Sequence, residues 1–183
     1  MRLLASAMLY LGLSVGANAD TSAIDDLRAG DMRKLAVHAE PLRGSDVVFV
    51  DADDVEFTLA EHEGKYIVLN FWATWCAPCR HEMPMLSQLQ AELGGDDFEV
   101  VTVATGRNPV PAMKGFFKEI GVDNLPLYRD PRQKLARDMG VLGLPVTIIL
   151  DPEGKEVARL QGDADWSSDD AKLILNAFIE SGS

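Results

Sequence analysis

The sequence predicts an α/β protein with a central mixed β-sheet flanked by helices. Three features predict it. Apolar, largely β-branched runs at 66–71, 98–104 and 146–150 read as strands buried on both faces. Stretches with apolar residues at helical spacing lie between and after them, at 80–93, 112–120, 133–139 and 171–178. Strand, helix, strand in that order implies a parallel pair with a right-handed crossover. The turn signal Asp151-Pro152-Glu153-Gly154, leading into Val157-Ala158-Arg159-Leu160, implies a hairpin beside it.

Taken in order, the chain opens on Met1-Arg2, an apolar run from Leu3 to Val15, and Gly16-Ala17-Asn18-Ala19. A charged start, a short hydrophobic region and an Ala-x-Ala site read as an export signal over residues 1–19, with a retained membrane anchor as the alternative. The run is short of the ~20 residues that cross a bilayer. Residues 20–45 read as a polar lead-in arm, in which Ile24, Leu27 and Leu35 allow a short helix before Pro41. The domain proper is expected over 46–183. Val47-Val48-Phe49-Val50 and Val55-Glu56-Phe57-Thr58 flank Asp51-Ala52-Asp53-Asp54 as an N-terminal β-hairpin. That acidic turn lacks the glycine and later glutamate of a calcium hand, so it reads as solvated. Leu59 to His62 suggests a helical turn with His62 on the surface.

The helix from Arg80 to Leu93 stops at Gly94-Gly95. Thr105 to Val110 is loop, the helix around Met113, Phe116, Phe117 and Ile120 stops at Gly121, and Leu125 to Tyr128 is extended. Ser167 with Asp170 resembles a capping box for a last helix whose apolar face is Ala171, Ile174, Leu175 and Phe178.

Formal net charge is −12; without residues 1–19, whose only charged side chain is Arg2, 16 basic residues face 29 acidic ones. Such a surface repels nucleic acid and anionic lipid. No Gly-rich phosphate loop or dinucleotide fingerprint occurs, and no cofactor is expected.

The chain has two cysteines, Cys76 and Cys79, at the junction of the strand ending at Phe71 with the helix that follows. The thiolate is the attacking species in disulfide exchange, and a helix N-terminus favours negative charge through its unpaired N–H groups and dipole. Pro78 suits a first helical turn, where its missing N–H costs nothing. Cys76 is therefore expected to be the exposed nucleophile and Cys79, one turn deeper, the resolving thiol. A structural disulfide closing so small a loop would constrain the unfolded chain little. A zinc site usually needs four ligands, and a second cysteine pair is absent. A soft-metal carrier using His81, Met83 and Met85 near the thiols stays open as the lesser alternative.

The segment Phe71-Trp72-Ala73-Thr74-Trp75-Cys76-Ala77-Pro78-Cys79-Arg80-His81-Glu82-Met83-Pro84 resembles the active site of exported thioredoxin-like proteins of the TlpA/ResA/CcmG group, the TlpA type above all. The resemblance runs on through Gly143-Leu144-Pro145-Val146-Thr147, Asp151-Pro152-Glu153-Gly154 and the tail from Gly162 to Ala171. It implies a thioredoxin-like fold and a cis Pro145 beside the cysteines, with Leu144 offering its backbone to an extended substrate segment. Trp75, Ala77 and Pro78 would join Leu144 and Pro145 in contacting substrate, while Trp72 reads as core. In thioredoxin an aspartate beneath the pair moves the proton; that position is Asn70 here, which cannot titrate. In ResA-like relatives a glutamate three residues after the second cysteine serves, and that position is Glu82. It lies one turn along the helix from Cys79, and apolar surroundings would raise its pKa toward neutrality. Arg80 and His81 add positive character near the thiolate.

The resemblance implies a monomeric periplasmic thiol:disulfide oxidoreductase acting as a reductant. Its targets would be cysteine pairs of a copper chaperone or an oxidase copper-site subunit, and a membrane dithiol donor would recharge it. Reduction of apocytochrome c is the nearby alternative. A peroxidase on the same scaffold is a third reading, and a membrane tether is compatible with all of them.

Overall fold

The computed structural model describes residues 24–182; the expected signal at 1–19 lies outside them. Eight strands form one sheet: β1 (Ala36–Leu42), β2 (Phe49–Val50), β3 (Glu56–Phe57), β4 (Tyr66–Trp72), β5 (Phe98–Thr105), β6 (Tyr128–Asp130), β7 (Val146–Leu150) and β8 (Glu156–Gln161), in the spatial order β1-β8-β7-β4-β5-β6-β2-β3. The helices are α1 (Ala77–Leu93), α2 (Val110–Glu119), α3 (Lys134–Asp138) and α4 (Asp169–Ser181). The sheet is mixed, as expected. β4 runs parallel to β5 and antiparallel to β7.

All seven residues of β4 are buried, because it sits mid-sheet between two apolar layers. Alternation along the strand assigns its side chains. Tyr66, Val68 and Trp72 face the layer built from α1, α2 and α4, whereas Ile67, Leu69 and Phe71 face a smaller layer with Phe49, Leu135 and Met139. Trp72 is fully buried and stacks on Phe117 with centroids 5.5 Å apart, which makes it core as expected.

The arm differs from the sequence expectation. Residues 36–42 are not a lead-in but a strand that closes one sheet edge against β8. Its residues are mostly exposed and include Pro41, so no alternation announces it. An edge strand has one free side, which is why it tolerates proline. A hydrogen bond between His38 Nε2 and Glu156, 2.7 Å long, helps hold it there, with Arg159 also on Glu156. At the opposite edge the β2–β3 hairpin docks onto β6.

The two acidic turns share one device. Asp51 Oδ1 accepts from the N–H groups of Asp53 and Val55, and Asp151 Oδ1 accepts from those of Glu153 and Lys155. Asp51 is thus spent on its own turn. Two expectations are corrected. His62 is 7 % exposed rather than on the surface, held by Glu99 at 3.1 Å and packed edge-on to Tyr128. The cap of α4 is Ser168, whose Oγ accepts from Ala171 N–H, while Ser167 turns back to Asp165. The apolar face of α4 is buried as expected.

Candidate active site

β4 ends at Trp72, and the chain turns through Ala73, Thr74 and Trp75 to start α1 at Ala77. Asn108, on the loop after β5, secures this turn. Its Oδ1 accepts from Thr74 N–H at 2.8 Å and Thr74 Oγ1 at 3.0 Å, and its Nδ2 donates to the Thr105 carbonyl. Cys76 occupies the N-cap of α1, where its sulfur accepts from Cys79 N–H at 3.3 Å. Pro78 sits in the first turn. A sulfur at that place faces the positive end of a 17-residue helix, the setting that lowers a thiol pKa. Pro84 inside α1 leaves the Arg80 carbonyl without its helical donor.

Cys76 and Cys79 are joined as a disulfide. Cys79 is fully buried, and Cys76 is 6 % exposed, so the nucleophile is less open than the sequence suggested. Trp75 stands out beside it at 67 % exposure, and Ala77 and Pro78 are exposed on the same turn. The Leu144–Pro145 peptide is cis, and the register Phe71↔Val146 sets Pro145 alongside the end of β4. Trp75 and Leu144, with Leu142 and Gln133, line a groove of about 430 Å³. Trp75, Ala77, Pro78 and Leu144 thus reach solvent at the end of β4, with Cys76, Cys79 and Pro145 buried behind them.

Glu82 lies beneath. It is fully buried one turn into α1, and burial raises its carboxyl from 4.5 to about 7. Three donors work against that rise: Asn70 Nδ2 at 2.8 Å on Oε1, and Ala164 N–H and Trp166 Nε1, each at 3.3 Å, on Oε2. Asn70 also donates to Thr147 Oγ1. The sequence marked Asn70 only as a residue that cannot titrate; its polarity in an apolar strand was the signal for this role. Ala164 and Trp166 carried no such signal, since their N–H groups reach Glu82 through tertiary contact.

The two basic neighbours are spoken for. The Arg80 guanidinium lies 4.0 Å from the Phe116 ring centre and 3.6 Å from Glu119, and His81 pairs with Asp163 at 3.7 Å. Met83 is fully buried in the core. Among the described residues no group of three or more His, Cys, Asp or Glu side chains is placed to hold a metal ion.

The AhpC/TSA family matches residues 42–158, well over half the chain. The chain belongs to that family. Its fold is thioredoxin-like, and it is of the kind found among ResA- and DsbE-type members. It is 39 % identical over 127 residues to the thiol:disulfide interchange protein HelX of Rhodobacter capsulatus, covering 69 % of this chain and 65 % of HelX. It is 34 % identical over 122 residues to the thiol-disulfide oxidoreductase ResA of Bacillus subtilis, covering 65 % and 67 %. The chain thus spans about two thirds of the length of these relatives. A crystal structure described as a thiol:disulfide interchange protein DsbE from Chlorobium tepidum superposes with a TM-score of 0.67 at 25 % identity, covering 79 % of this chain and 99 % of that one. The exposed lipoprotein thioredoxin of Streptococcus pneumoniae gives 0.60 at 31 % identity, covering 72 % and 98 %. No helix among the described residues is long and apolar enough to cross a membrane.

Proposed function

We propose that this protein is a thiol:disulfide oxidoreductase that reduces cysteine pairs of other proteins in the periplasm. The observation that supports it is the Cys76–Cys79 pair seated on the N-terminus of α1, above a buried carboxyl raised to about 7. In the reduced protein the Cys76 thiolate attacks one sulfur of a partner's disulfide. That bond breaks, one partner sulfur leaves as a thiolate, and the other is joined to Cys76. Cys79 then gives its proton to Glu82 and attacks Cys76 Sγ, and the second partner sulfur leaves. Two electrons have passed to the partner, and the protein is left in the disulfide form. A dithiol donor in the membrane restores the reduced state.

The partner enters along the groove beside Trp75 and Leu144, which accepts an extended segment. The proposed targets are cysteines that must be reduced before a respiratory metal centre is assembled. They are those of a copper chaperone or an oxidase copper-site subunit, with apocytochrome c as the neighbouring case. The reduction potential of the Cys76/Cys79 couple tests the direction. A value near about −270 mV fits a reductant, whereas one near about −120 mV makes the protein an oxidant and overturns the proposal.

A further inference from the structure

The segment joining β8 to α4 supplies two of the three donors to Glu82, and it is itself held from the N-terminal arm. One peptide unit, between Asp163 and Ala164, is bonded at both ends. Its N–H donates to Glu82 Oε2 at 3.3 Å, and its carbonyl oxygen accepts from Lys34 Nζ at 2.6 Å. The next N–H along, that of Asp165, donates to Asp31 Oδ2 at 3.1 Å. Asp31 and Lys34 are in turn an ion pair at 3.0 Å. Both stand on the 3₁₀ turn Gly30–Lys34, which Met32 anchors in the core. The turn therefore grips the chain on either side of Ala164.

A hydrogen bond received at a peptide carbonyl polarises that peptide and strengthens the bond its N–H donates. A cation on the Asp163 carbonyl thus strengthens the bond from Ala164 N–H to the carboxylate, and a stronger bond to the charged form favours it. From this geometry we infer that Lys34 and Asp31 are positioning residues for Glu82, fixing the Ala164 peptide on its carboxyl and so setting the pH at which the carboxyl gives up its proton. The inference rests on Glu82 being the proton acceptor for Cys79 and extends that site to the arm. The other groups facing Glu82 do not duplicate the effect. Asn70 donates from β4 and Trp166 from the segment joining β8 to α4, both uncharged. Asp163 opposes ionisation and is paired with His81 on α1. Exposure of Lys34 and Asp31 weakens the ion pair itself, so their influence runs through the peptide they hold.

The ionisation of Glu82 is read directly in the oxidised protein, from the ¹³C shift of its labelled carboxyl during a pH titration. Resolution of a mixed disulfide at Cys76 is timed over the same range. Lys34→Met is expected to move the carboxyl midpoint upward by about half a pH unit. Lys34→Arg, which still donates to the carbonyl, is expected to restore it, and Arg33→Met, exposed on the same turn, to leave it in place. Should Lys34→Met not fold, Lys34→Ala takes its place with the same expected direction. An unmoved midpoint overturns the inference, even if Glu82→Gln slows resolution. A moved midpoint supports it, and if resolution is then indifferent to Glu82→Gln, it is the role of Glu82 in proton transfer that falls.

Discussion

Replacing Glu82 by glutamine removes a buried ionisation, and the consequence is a change in how stability depends on pH. In the folded protein the carboxyl titrates near 7, against 4.5 ordinarily, with burial as the dominant cause. Below both values it is protonated whether the chain is folded or not, and its contribution is fully present. Between them the unfolded chain ionises while the folded one keeps its proton, so stability falls as pH rises, and the loss is complete above about 7. The rise from 4.5 to about 7 corresponds to roughly 3 kcal/mol. Glu82→Gln cannot show this loss. It carries instead a pH-independent cost of about 1–3 kcal/mol, because an amide offers one acceptor where the carboxylate served three donors. Measured by urea unfolding of the oxidised proteins between about pH 4 and about pH 8, the variant should gain roughly 3 kcal/mol on the wild type across the range. That is about 6–12 °C in Tm for a domain of this size. Every other titrating group is common to both proteins and cancels. Parallel curves would show that Glu82 ionises like a surface carboxylate, and its place as proton acceptor near neutral pH would go with it.

Three further outcomes are expected. Cys79→Ser should trap the partner on Cys76 as a stable mixed disulfide, visible as a band on a non-reducing gel that dithiothreitol removes, while Cys76→Ser should give none. Trp75→Ala should slow reduction of a protein substrate about tenfold while leaving reduction of the protein's own disulfide by dithiothreitol unchanged, since the side chain is 67 % exposed and contributes to the groove rather than the core. Asp130→Ala should cost about 2 kcal/mol and loosen α3, because its buried carboxylate accepts from the N–H groups of Lys134 and Ala136; urea unfolding reads the first and hydrogen exchange of 134–138 the second.

Much of the fold is legible because its signals are local. The β-branched runs of β4, β5 and β7 and the helical spacing of α1, α2 and α4 are set by periodicity, and burial then selects the same residues. The elements that differ from the sequence expectation lack such a period. β1 exposes most of its residues and contains Pro41, so nothing in its pattern separates it from a polar arm; only its pairing with β8 makes it a strand. His62 looks like a surface histidine beside charged neighbours until Glu99 and Tyr128, distant in sequence, close over it.

The active site divides along the same line. By itself the sequence determined the cysteine pair, its seat on a helix start and the placing of Glu82 one turn on, since each depends on spacing within a single strand and helix. Only the tertiary structure decided what surrounds that carboxyl. Its partners come from 12, 82 and 84 residues away, and the arm that braces one of them lies 129 residues from the carbonyl it holds. A proton affinity is set by burial and by donors converging in space, and no periodicity along the chain encodes which peptide N–H will arrive there.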